Sequence, residues 1–226
     1  MDGKGWAAAS GPAEPHGSYD DDPQVERVAR ILAVVLGCLR EHFPRDYYRR
    51  CAFAAHGIRT LLTRDGIQNR VVGGRFTALV VAKFGSRYAL QGFEDGPELY
   101  PHLWVETDDR LIDLGPYLLP FGSPFPVASM PPLVWRRSEA LPAALRYEMI
   151  DVVPDQAPFS VDPEVAKQGE AFATLCLDRC HGPIDFPHWI ATGDAALAVA
   201  EGSGDRWVHG VRHFEQVVKK LPNLPQ

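Results

Sequence analysis

The sequence has no stretch that approaches the roughly eighteen consecutive apolar residues a membrane helix needs; the best candidate, Ile31–Leu36, is far too short. Its first residues, Met1-Asp2-Gly3-Lys4-Gly5, are not followed by the apolar core of a secretory signal. These two absences predict a cytoplasmic protein with no membrane partner. Basic charge is also in short supply. With 23 Lys and Arg against 29 Asp and Glu, the net charge is −6, which argues against a nucleic-acid partner, since such surfaces need a basic stripe. The local run Arg45, Arg49, Arg50 reads as a solvated helix face. Cysteine is scarce: Cys38, Cys51, Cys176 and Cys180 are the only four. In a reducing compartment they are expected to be free thiols, and the simplest role for each is that of a small buried apolar side chain.

What is present is enough apolar sequence for one substantial core, 46% over 226 residues. Residues 1–19, rich in Gly, Ala, Pro and Ser, are expected to be a flexible tail, and residues 20–226 a single domain. Asp22-Pro23 opens a helix whose apolar stripe runs Val25, Val28, Leu32, Val35, Leu36, Leu39 and stops at Pro44. A second stripe, Cys51, Ala54, Ala55, Ile58, Leu61, Leu62, ends at Asp65-Gly66. Strands are expected at Val71-Val72, Phe76–Phe84, Arg87–Phe93, and as a hairpin, His102–Thr107 and Leu111–Leu114, around Asp108-Asp109. Seven prolines between Pro116 and Pro142 predict an irregular arm. Val165–Leu177 and Trp207–Leu221 read as helices of a C-terminal extension. The class expected is α+β, with the helices on one side of a mainly antiparallel sheet and the Cys-bearing helix against it.

A thiol nucleophile needs a stabilised thiolate, a base within reach and a group that orients the base. Cys51 meets the first need if its helix starts close to it, and loses most of the benefit if the helix starts at Pro44. A two-residue turn at Asp108-Asp109 would pair Glu106 with Leu111 and Val105 with Ile112. His102 and Asp113 then share a face as diagonal neighbours. A three-residue turn would put Asp113 on the opposite face. His56 is a poorer partner for Cys51, because five residues carry it about 140° around the helix.

The strings Cys51-Ala-Phe-Ala-Ala, Gly66-Ile67, Val71-Val72-Gly73-Gly74, His102-Leu-Trp-Val-Glu106 and Ile112-Asp113-Leu114 span about residues 45–115. In this order they resemble the transglutaminase-like, papain-related superfamily, in particular small bacterial members such as the leader-removing peptidases of lasso-peptide biosynthesis. The resemblance implies Cys51 as nucleophile, His102 as general base and then acid, and Asp113 as the orienting carboxylate, with Trp104 and Glu106 structural. It implies acyl transfer through a thioester on a peptide, amide or acyl-thioester substrate, by a peptidase or amidase if water is the acceptor and a transferase if an amine is. No cofactor and no metal are implied. Arylamine N-acetyltransferase relatives carry Arg-Gly-Gly before a Cys followed by Glu; here Tyr47-Tyr48-Arg49-Arg50 precedes Cys51, which disfavours that activity.

Two other readings stand beside this one. The first is a non-catalytic binding protein on the same fold. The second is a zinc module built on Cys176, Cys180, His181 and His188. The string Cys176-Leu-Asp-Arg-Cys180-His181 has one residue too many for the usual haem attachment. His209 and His213 share a helix face and are expected at the surface.

Overall fold

A computed structural model describes residues 22–93, 100–181 and 189–219; the expected tail and His188 lie outside them. The first helix, α1 (Pro23–His42), begins as the sequence predicts, with the Asp22 carboxylate accepting from the Gln24 amide and Pro23 at the first helical position. It stops at Phe43, ahead of Pro44. A turn and a short 3-10 segment (Tyr47–Arg49) then re-aim the chain into α2 (Cys51–Arg64). Gly66, at φ 72, closes α2 in the left-handed conformation that glycine adopts without cost.

Among the described residues the sheet is antiparallel and has six strands: β1 (Arg70–Val81), β2 (Tyr88–Phe93), β3 (His102–Glu106), β4 (Arg110–Asp113), β5 (Leu133–Arg136) and β6 (Leu145–Val152). The long β1 organises it. One of its edges is filled by β6. The other is shared end to end by β2, along Phe76–Val81, and β3, along Arg70–Gly74. The Gly73-Gly74 pair does not interrupt the strand. Gly73 lies under the Tyr100 ring and Gly74 against the Glu148 carbonyl, so a side chain at either would collide. Opposite them the ladder slips by one residue, leaving Ile150 of β6 unpaired.

Helices cover both faces, not one. The row Val71, Val105, Ile112, Val134 packs with α1, α2 and α4 (Pro163–Arg179). The alternate row Val72, Trp104, Leu111, Trp135 packs with Leu197 of α5 (Asp194–Gly202), Trp207 of α6 (Arg206–Arg212) and Phe214 of α7 (Phe214–Val218). The reason lies in the strands. All four residues of β4 are buried, so the sheet has two apolar faces and needs two covers. The expected helix over Trp207–Leu221 breaks at His213 into α6 and α7, and Leu221 lies outside the described residues. The proline-rich arm is not irregular throughout: it contains α3 (Gly115–Leu118), a 3-10 turn (Leu119–Gly122) and β5. Leu133-Val-Trp-Arg136 has no proline, and its ladder with β4 supplies the pairing that the flanking prolines cannot. Among the described residues no helix is long and apolar enough to cross a membrane.

Candidate functional site

Cys51 is the first residue of α2, where amide N–H groups have no partner in the preceding turn and favour negative charge. The Ala54 amide already bonds the Arg50 carbonyl at 2.9 Å, so the helix starts here and not at Pro44. Arg45–Arg50 is consequently turn and 3-10 segment; Arg50 pairs with Asp46, and its guanidinium lies 4.6 Å from the Phe43 ring centroid. Of the four cysteines, Cys38, Cys176 and Cys180 are buried and Cys51 alone is partly open.

His102 and Asp113 come together. The β3–β4 ladder pairs Glu106 with Leu111 and Val105 with Ile112, the register of a two-residue turn. The Thr107 amide donates to the Arg110 carbonyl across that turn at 2.9 Å. The His102 imidazole then meets Asp113 through Nε2 at 2.8 Å from Oδ2. His102 opens β3 beyond its last pair with β4, and the Cys51 thiol at the start of α2 acts on its ring. The Asp113 carboxylate is bound from three sides, since the Tyr147 hydroxyl donates to Oδ2 at 2.7 Å and the Gly115 amide to Oδ1 at 2.7 Å. Both ring faces of His102 are occupied, with Phe93 stacked at 5.1 Å and Trp104 at 6.0 Å between centroids. Trp104 and Glu106 are structural here: the indole N–H donates to Glu106, whose carboxylate pairs with Arg70 at 2.7 Å.

His102 is fully buried, and burial is the largest influence on its proton, opposing charge. The Asp113 carboxylate and, to a lesser degree, the Cys51 thiol outweigh it, and the imidazole is pushed up to about 10. Its Nδ1 makes no hydrogen bond of good geometry, so the thiol influences the ring without yet bonding to it. For Tyr147, burial and then the Asp113 charge push the phenol well above its ordinary value, so it remains a neutral donor. These shifts predict a pH effect on stability. The folded imidazole holds its proton to about pH 10 and the unfolded one only to about 6.5, so the contribution is complete below pH 6.5 and lost as pH rises through 10. Urea unfolding of the wild type should show a declining midpoint between pH 7 and 10, and His102→Gln should flatten that decline. Parallel profiles would mean that the ion pair contributes nothing.

Against Phe93, the ring stacked on His102, lies a cleft of about 370 Å³. Its walls come from the segments that carry the site: Tyr48 and Arg49 ahead of Cys51, Phe93 against His102, and Leu118 and Leu119 after Asp113. Arg49 is exposed, lies 5.6 Å from the Tyr48 ring centroid, and forms no ion pair among the described residues.

The sequence did not reveal two residues of this site. Tyr147 sits on β6, whose pattern of mostly exposed residues gives no alternation to read. Gly115 is the second: a Cβ there would stand 2.7 Å from His102 Cε1 and 2.8 Å from Asp113 Oδ2, so only glycine fits. Its signal was the glycine two residues beyond the candidate carboxylate. His56 turns to Phe159, 5.0 Å between centroids, away from any role at the thiol. Cys176 packs against Cys38 and Gly57, Cys180 donates to the Leu177 carbonyl, and His181 is exposed, so these three do not converge as ligands. Compared with family models, with curated proteins and with solved structures, the chain matches none.

Proposed function

We propose that the protein is a cytoplasmic, thiol-dependent acyl-transfer enzyme of transglutaminase-like type, a cysteine peptidase, amidase or amine acyltransferase, with Cys51, His102 and Asp113 as its triad. The observation that carries this reading is the buried His102–Asp113 pair beside a cysteine at the first position of a helix. An imidazolium and a helix N-terminus both favour negative charge on sulfur. The Cys51 thiolate attacks the acyl carbon and the carbonyl π electrons move to oxygen, where the Cys51 amide is the nearest natural donor. As the tetrahedral centre collapses, the bond to the leaving group breaks and His102 delivers its Nδ1 proton to that group. The thioester then passes to water or an amine, whose proton returns to Nδ1 and whose attack releases the thiolate. Asp113 holds the imidazolium by Nε2 and keeps Nδ1 turned to sulfur. The cleft takes the acyl part: Phe93, Leu118 and Leu119 suit an apolar group, and Arg49 suits a carboxylate or carbonyl at its rim.

An activated thioester or nitrophenyl ester should leave one acyl group on the Cys51 peptide in quenched-flow mass spectrometry, and none in Cys51→Ala. Acylation spread over several nucleophiles, or none at all, would favour the second reading, a binding protein on the same fold.

A further inference from the structure

We propose that Glu201, His209 and His213 form a site for a divalent metal ion of the zinc class, at the seam where the end of α5 meets α6 and α7. The candidate ligand atoms of the three side chains all lie within 4.8 Å of one another. His209 and His213 are one helical turn apart, with ring centroids 4.3 Å from each other, and the His213 amide bonds the His209 carbonyl at 3.2 Å, so the turn is intact between them. The contacts that would orient these groups are already in place. His213 Nδ1 lies 2.9 Å from the His209 carbonyl oxygen. A carbonyl can only accept, so Nδ1 carries the proton and Nε2 presents a bare lone pair, the arrangement that readies a histidine for a metal. Glu201 is paired with Arg212, whose Nε lies 3.6 Å from Oε2, while Arg212 is itself held by Asp194 at 3.2 Å. Two imidazoles and a carboxylate are a donor set that zinc accepts, and ligands at about 2.0–2.1 Å on one ion stand roughly 3.4 Å apart. From separations of up to 4.8 Å the three groups need to close by at most about 1.4 Å, which side-chain rotation at a surface supplies. The bound ion would clip α5 to the two helices whose Trp207 and Phe214 cover the second face of the sheet.

The test is titration of the full chain with Zn²⁺ by calorimetry and with Co²⁺ by visible absorption, on the wild type and on His209→Ala, His213→Ala and Cys51→Ala. One equivalent should bind to the wild type and to Cys51→Ala alike, with cobalt bands free of thiolate charge transfer. Kd should rise about tenfold or more in each histidine variant. Zinc should also raise the melting temperature of the wild type and not that of His209→Ala, as binding to the folded state alone requires. The proposal is overturned by undiminished binding in both histidine variants, by the absence of binding at millimolar zinc, or by a thiolate band that disappears in Cys51→Ala.

Discussion

His102→Ala should slow alkylation of Cys51 at pH 6.5 on the order of a hundredfold, the scale on which a positioned imidazole typically assists a reacting group. The wild type holds an imidazolium, pushed up to about 10 by the Asp113 carboxylate against the opposing effect of burial, at the sulfur. That cation disappears with the ring. Peptide-resolved mass spectrometry after iodoacetamide pulses reads all four cysteines at once. Cys38, on the buried face of α1, serves as an internal monitor of folding: as long as it is protected, a change at Cys51 is local. Equal Cys51 rates in wild type and variant would remove the histidine from the chemistry, and with it the acyl-transfer reading.

The second large effect is expected at Asp113. Its carboxylate receives His102 Nε2, the Tyr147 hydroxyl and the Gly115 amide, at 2.8, 2.7 and 2.7 Å. Asp113→Ala strands a buried imidazole, a phenol and an amide together, and removing one partner of a buried ion pair typically costs about 3–5 kcal/mol. Asp113→Asn keeps the shape and an acceptor but not the charge, and Tyr147→Phe removes a single hydrogen bond to a charged group; each should cost about 1.5–3 kcal/mol. The order Ala, then Asn and Phe, measured by urea unfolding at pH 6.5, is the informative result. An alanine variant within about 1 kcal/mol of wild type would show that the three donors find other partners and that Asp113 is not the centre of the network.

Much of this site could be read from the residues alone, and the reasons differ from element to element. Asp108-Asp109 left two turn lengths open; the structure takes the two-residue one, which puts His102 and Asp113 on the same face. The start of α2 was ambiguous because Pro44 and Cys51 are both compatible with a helix beginning. In the structure local contacts hold the turn ahead of Cys51, with Arg50 tied back to Asp46 and packed over Phe43. β6 could not be read: Leu145-Arg-Tyr-Glu-Met-Ile-Asp-Val152 has most of its side chains in solvent, and the one that matters, Tyr147, is polar at its tip. β5 was hidden for the opposite reason. Its run is four residues long, apolar on both faces and flanked by prolines, so periodicity has nothing to work on. The second helical layer had a trace in the sequence, because strands without alternation are strands covered twice.

The sharing of one β1 edge by β2 and β3 has a consequence for how such a protein could diversify. Phe76 pairs with Phe93 and Gly74 with His102, so two neighbouring positions on β1 anchor chain segments separated by residues 94–101. Each anchor is set by its own ladder and neither depends on the length of what joins them. Residues can therefore be gained or lost between Phe93 and His102 without shifting the register that aims the imidazole. On the acyl-transfer reading proposed above, the aim of the imidazole would then be inherited from β1 and not from the segment that follows β2.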